Sequence, residues 1–335
     1  MQQTSQINWL SILRGITIVL VLTYHVRLLN TSTGECYQWI LDIGQWFKPF
    51  RMPTFVMVSG ALLFYTRISK AWSVKALYKD KFIRIGLPLL FCTCLGNVLQ
   101  IIFNGYVKTP HEVTIASFFR SFIEYNSSPW PHRWYLMVLL IMMMLYPVYR
   151  LILRSKIATV AVLVLLFALE PFDFYKLVET NWLYFFALNK YLPYFFLGIV
   201  LFRYRWYTLL NNAFFVPLLW CGYVLLYNCS YNDYLSLPTS VVGISAMIST
   251  AMLADRYIPS LCSSFRKYIF QIYLFGIVFQ AFVELILWKM FGCPDSYVAI
   301  FYVLNMLAGI YMPVLISKMV ERIPNRTLRL CFGLK

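Results

Sequence analysis

Arg14 and His25 stand eleven residues apart in the apolar run Asn8 to Asn30, NWLSILRGITIVLVLTYHVRLLN. At about 100° per residue, that spacing is three helical turns plus roughly 20°, so both side chains share one face, about 16 Å apart along the axis. Ile18 and Leu22 lie between them on that face. An ionisable residue inside a membrane span is costly and marks a functional site by default. A guanidinium holds an anion. A neutral imidazole, whose unperturbed pKa lies near neutrality, takes a proton from a hydroxyl or attacks an acyl group itself. Spacing alone leaves two bland readings open: a His satisfied by a nearby carbonyl, and an Arg that snorkels to the interface or pairs with a carboxylate.

Other residues carry weaker signals. Glu284 is the one acid firmly inside an apolar run, either a partner for Arg14 or Lys190 or part of a site. Ser59-Gly60 reads as a close helix contact or as a lining of an acyl path. Trp134 and Tyr135 suit an interfacial aromatic belt. Lys81 and Arg84 end a basic stretch that also holds Arg67, Lys70, Lys75 and Lys79. No Gly-rich phosphate loop is present, and no His, Cys, Asp and Glu grouping has metal-ligand spacing, so no metal is expected. Of the eight cysteines, Cys36, Cys229 and Cys293 fall in loops, where a disulfide is open.

The elements that must position these residues are membrane helices. The chain is 61% hydrophobic and only 13% charged, about half the usual globular charge, and its apolar runs recur at about 20 residues. The expected fold is all-α and polytopic, with about ten spans near 8–29, 45–66, 83–104, 134–151, 155–171, 182–202, 208–228, 235–254, 267–290 and 296–318, all in one domain, 1–335. Pro147 is expected to kink the fourth span, with a tight turn at Arg154-Ser155-Lys156 joining it to the fifth. The first apolar run is expected to be retained as a helix, because no small-residue cleavage site follows it. Loops alternate in charge: one set carries 19 of the 29 Lys and Arg, the other 8. The positive-inside rule then places both termini in the cytoplasm, Arg14 near the inner surface and His25 near the outer. The same rule accounts for the net charge of +16 without nucleic acid.

Six short motifs occur in a fixed order: LRGITIVLVLTYH (Leu13 to His25), MPTFVMVSGALL (Met52 to Leu63), KDKFIRIGLPLL with Lys81, Arg84 and Pro88, HRWYL (His132 to Leu136), YFFLG (Tyr194 to Gly198) and IYL (Ile272 to Leu274). In these the chain resembles the acyltransferase-3 family of integral-membrane O-acyltransferases, in a short form without an extracytoplasmic hydrolase-like domain. Two positions depart from the family pattern: Arg51 precedes Met52-Pro53, where His or a small polar residue is common, and Gly276 stands where relatives carry a second intramembrane His.

The resemblance implies an acyl-CoA donor, acetyl-CoA foremost, entering from the cytoplasm with its phosphates on Arg84, Lys81 and Arg14. It implies that the pantetheine arm runs along the face between Arg14 and His25. At the outer end, His25 would activate a hydroxyl of a surface or exported glycan or its lipid-linked precursor. Catalytic roles then fall to His25 and Arg14, and Trp134, Tyr135, Ser59 and Glu284 are expected around the substrate. Membrane lipids are the other partner, and the cell (inner) membrane is the expected location. The sequence specifies no oligomeric state. A second class of function is a transporter or flippase for a polysaccharide precursor, with Arg14, Lys190 and Glu284 along a solute path. The ordered motifs and the lack of an inverted repeat count against it.

Overall fold

A computed structural model describes residues 8–30, 33–104, 113–124, 133–172, 184–229, 236–292 and 295–334. Its helices are α1 (Asn8–His25), α2 (Gln38–Leu63), α3 (Val74–Lys81), α4 (Leu87–Phe103), α5 (Ile115–Ile123), α6 (Trp134–Met144), α7 (Tyr146–Ile152) and α8 (Lys156–Leu169). They continue with α9 (Phe185–Arg203), α10 (Phe215–Cys229), α11 (Ser236–Tyr257), α12 (Ile269–Phe282), α13 (Trp288–Met290), α14 (Val298–Arg322) and α15 (Arg326–Cys331). Wider π-helical turns follow α2 (Phe64–Ile68), join α3 to α4 (Phe82–Gly86) and join α12 to α13 (Val283–Leu287). Among the described residues there is no β-strand, only an isolated antiparallel bridge between Leu29 and Cys36.

Among the described residues, five helical stretches are long and apolar enough to cross a membrane: Val74–Phe103, Phe185–Arg203, Ser236–Tyr257, Arg266–Leu287 and Asp295–Arg322. The pair α6 and α7, bent by 50°, makes a sixth as one broken span. The protein is thus an all-α, polytopic membrane protein, and five or six of the ten expected segments meet that standard. The bend falls at the expected proline. Pro147 lacks an amide proton and cannot continue the ladder from α6, so the helix restarts at Tyr146. The expected turn into α8 is also present, capped by Ser155, whose Oγ accepts from the Ala158 amide at 3.3 Å.

The chain groups into two compact units, Met1–Val58 with Tyr204–Met319, and Ser59–Arg203 with Val320–Lys335. In the first, α1 packs on α11 and α12, and α10 packs on α11. In the second, α6 and α8 pack on α9, and α15 packs on α4. Gly60 makes a close helix approach in the second unit: a Cβ there would stand 1.9 Å from the Phe195 carbonyl oxygen. That contact bears out the close-packing reading of Ser59-Gly60 for the glycine.

Two prolines inside α2 set a local problem. Pro53 has no N–H for the carbonyl four residues back, which belongs to Pro49. Ser240 of α11 donates its hydroxyl to the Pro49 oxygen at 2.6 Å, sharing it with the Ser236 carbonyl of its own helix at 2.8 Å. Ser240→Ala is therefore expected to destabilise the protein by about 0.5–1.5 kcal/mol, the net contribution of one hydrogen bond at a half-buried acceptor. Among the described residues Ser245 bonds only Val241 of its own helix, so Ser245→Ala is expected to cost a few tenths of a kcal/mol at most. Thermal melts in detergent compare the two, and equal losses would contradict this account of Pro49.

Candidate active site

His25 is the last residue of α1, and Arg14 lies near the other end of the same helix. Both are half-buried. Ile18 and Leu22, between them, are buried, and a Cβ at Gly276 of α12 would meet Leu22 at 3.0 Å. That face is a packing surface filled by protein. At the Arg14 end, Asn8 donates to Asp255 at 2.6 Å and accepts from Arg266 at 3.0 Å. Cys262 and Arg266 close over Gly15. Burial pushes the Cys262 thiol above its usual range against the pull of Arg266.

The His25 end is held by three side chains of one helical stripe. Gln280 Nε2 donates to the Leu22 carbonyl at 3.2 Å. Glu284 accepts from the Arg27 backbone N–H at 2.6 Å. Trp288 Nε1 donates to the Leu29 carbonyl at 2.9 Å. Asn305 of α14 braces the stripe, donating to the Gln280 carbonyl at 3.2 Å and to Glu284 at 3.1 Å. Eight residues of ideal α-helix overshoot two turns by about 80°. The π-helical turn Val283–Leu287, with more residues per turn, takes up much of that overshoot and brings Trp288 into line with Gln280. Below the stripe, Val26, Leu28, Ile40, Val283, Trp288 and Phe301 form an apolar cluster.

Tyr24 lies edge-on to the His25 ring, with centroids 5.4 Å apart. Its own face carries the Arg51 guanidinium at 3.5 Å, and Arg27 stands 5.5 Å away. Arg51 is buried in α2 and donates to the Gly44 carbonyl at 3.0 Å. Gly44 in turn packs on the Tyr24 backbone. A desolvated cation on an aromatic face contributes about 2 kcal/mol, so this contact ties α2 to the turn that ends in His25.

In the second unit, Ser59 and Tyr135 share a hydrogen bond of 2.7 Å. Trp134 lies edge-on to Tyr135 and stacks on Tyr191 with centroids 5.0 Å apart. Ser59, Trp134 and Tyr135 are thus brought together. Beside them Arg133 is buried, donating to Thr93 Oγ1 and to the Ser121 carbonyl. His132 lies outside the described residues. Arg84 and Lys81 belong to another group in this unit: Arg84 Nε bonds Asp80 at 2.7 Å, and Asp80's other oxygen meets Arg67 at 3.1 Å. Lys190 is exposed on α9.

The family described as an acyltransferase domain, acyltransferase-3, matches residues 7–332, nearly the whole chain. The chain belongs to the acyltransferase-3 family. No curated protein and no solved structure was found to match it. It is accordingly a multi-pass membrane acyltransferase, and the transport reading is set aside. Within this acyltransferase, Glu284, expected beside Arg14 or Lys190 or in a substrate pocket, bonds the backbone just past His25. Arg27 is thirteen residues beyond Arg14, so this contact belongs to the His25 end. Arg51 stood out in the sequence only as a departure from the family pattern, with no role attached, and Asp80 did not stand out at all. The available signal for Asp80 was a lone acid among basic residues.

Removing the Glu284 carboxylate leaves the Arg27 N–H and an Asn305 donor unmet. Glu284→Ala is expected to cost about 3 kcal/mol, and Glu284→Gln, which keeps one acceptor oxygen, about half as much. Melting curves of the two variants test the order, and a Gln variant weaker than the Ala variant would refute it.

Proposed function

We propose that this acyltransferase works in the cell (inner) membrane, moving an acyl group, acetyl foremost, from cytoplasmic acyl-CoA to a hydroxyl of a surface or exported glycan or its lipid-linked precursor. About ten spans, with both termini in the cytoplasm, is the topology that goes with this reading. The observation that carries it is the seating of His25. A half-buried imidazole ends α1, with Tyr24 against its ring and its helix end fixed by Gln280, Glu284 and Trp288. A base must be held in place before it can act on a hydroxyl in a fixed direction.

In the proposed reaction, the imidazole takes the hydroxyl proton as that oxygen attacks the thioester carbonyl. The carbon–sulfur bond breaks, and the proton is returned as CoA leaves as a thiol. Arg14 holds negative charge on the donor side. Arg84 and Lys81 meet the donor phosphates, supported by a local excess of cations around Asp80. Ser59, Trp134 and Tyr135, joined by hydrogen bond and ring contact, line the substrate region.

His25→Ala is expected to lower transfer by about 10²- to 10⁴-fold, the usual contribution of a positioned acid–base group. O-acyl content of the cognate glycan, measured by mass spectrometry before and after mild alkali, is the readout. A folded, inserted variant with full activity would overturn the reading. Acid quench with labelled acetyl-CoA and no acceptor separates the two roles of His25: label retained on it identifies an acyl carrier, and none identifies a base. Arg84→Ala is expected to raise the KM for acyl-CoA about tenfold, as loss of one charge-assisted contact would. Thiol labelling of Lys75→Cys from the cytoplasmic side and Arg120→Cys from outside tests the topology.

A further inference from the structure

Arg67 and Arg84 sit on two separate π-helical turns and converge on one carboxylate, Asp80. Each takes a different oxygen, Arg67 Nη2 at 3.1 Å and Arg84 Nε at 2.7 Å. The side chains of Arg67 and Asp80 are only 14% and 13% exposed, but that of Arg84 is 44% exposed, so the group opens to one side. Lys81 follows directly in the chain. The site is built rather than loose. The Arg67 guanidinium lies 3.6 Å from the Trp72 ring, and the Trp72 carbonyl is held by the Tyr146 hydroxyl at 2.7 Å.

Two features do not fit a finished ion pair. A carboxylate suits one guanidinium fork with both oxygens, yet here it is split between two. Arg67 Nε is buried and has no hydrogen-bond acceptor among the described residues. Three cations thus surround one acid, and a donor beside them is unmet. A phosphate monoester answers both, with three acceptor oxygens and a charge near two.

We propose that Asp80 is a built-in competitor for the donor's nucleotide phosphate: it occupies Arg67 and Arg84 when no donor is bound, and a phosphate displaces it. This rests on the reading of acyl-CoA as donor, and adds to it Arg67 as the buried anchor and a carboxylate that weakens donor affinity. The part of the protein in which Asp80 is held by both arginines is withdrawn from donor binding, so the apparent affinity is lowered by that fraction.

The test uses the full chain in lipid nanodiscs and adenosine 3′,5′-bisphosphate as a probe beside acetyl-CoA. Asp80→Asn keeps the shape and removes the competing charge. It is expected to tighten binding of both ligands about tenfold, the factor equivalent to about 1.4 kcal/mol. Arg67→Gln is expected to weaken both by at least a similar factor, and neither variant should alter the KM for acetyl-pantetheine, which lacks the nucleotide. Asp80→Ser replaces the Asn variant if that protein fails to insert. Unchanged or weaker binding in the Asp80 variants would make this residue a strut and overturn the proposal. Tighter binding of the bisphosphate without any turnover of acetyl-CoA would uphold the anion site and sink the donor reading instead.

Discussion

Backbone groups left over where a helix ends inside an apolar bundle have no water to turn to. The chain past His25 remains buried at Val26 and Leu28, so the Leu22 and Leu29 carbonyls and the Arg27 N–H need partners from protein. All three come from Gln280, Glu284 and Trp288, and Asn305 fixes two of these in turn. This exchange holds the backbone on either side of His25. The same chemistry recurs at Pro49, where a proline frees a carbonyl and a serine on another helix takes it.

Positive charge is accommodated in two ways. Arg51 rests on the face of Tyr24, a neutral partner whose quadrupole asks for nothing in return, and its contact serves packing. Arg67 and Arg84 share a charged partner that is insufficient for both. An arrangement of the first kind is finished in the free protein. One of the second kind has capacity left for another anion.

Much of this architecture was legible in the sequence. Apolar run length shows the helices, Pro147 the bend and Arg154-Ser155-Lys156 the turn, because each is a local effect. The Arg14–His25 spacing placed both residues on one helix. The rest depends on contacts distant in sequence. For Glu284 the sequence offered a partnership with Arg14 or Lys190 or a place in the site. Its bond to the Arg27 backbone N–H arises because α1 ends before Arg27, which no spacing within the α12 segment reveals. Ile18 and Leu22 read as an open apolar path, and only the approach of Gly276 shows the face to be filled. Asp80 was masked by its neighbours: an acid among lysines resembles ordinary dilution of charge.

The π-helical turn at Val283–Leu287 also bears on how this segment tolerates changes in length. A wide turn is in effect one residue more than a regular helix needs, so deleting one there would restore regular α-helical winding. Seven residues of regular helix turn about 700°, within roughly 20° of two full turns, so the shortened segment would still present its Trp in line with Gln280 and the Leu29 carbonyl. A second deletion would instead rotate everything after it by about 100° and swing Trp288 off that carbonyl. The turn is therefore where this segment can lose one residue and keep its register.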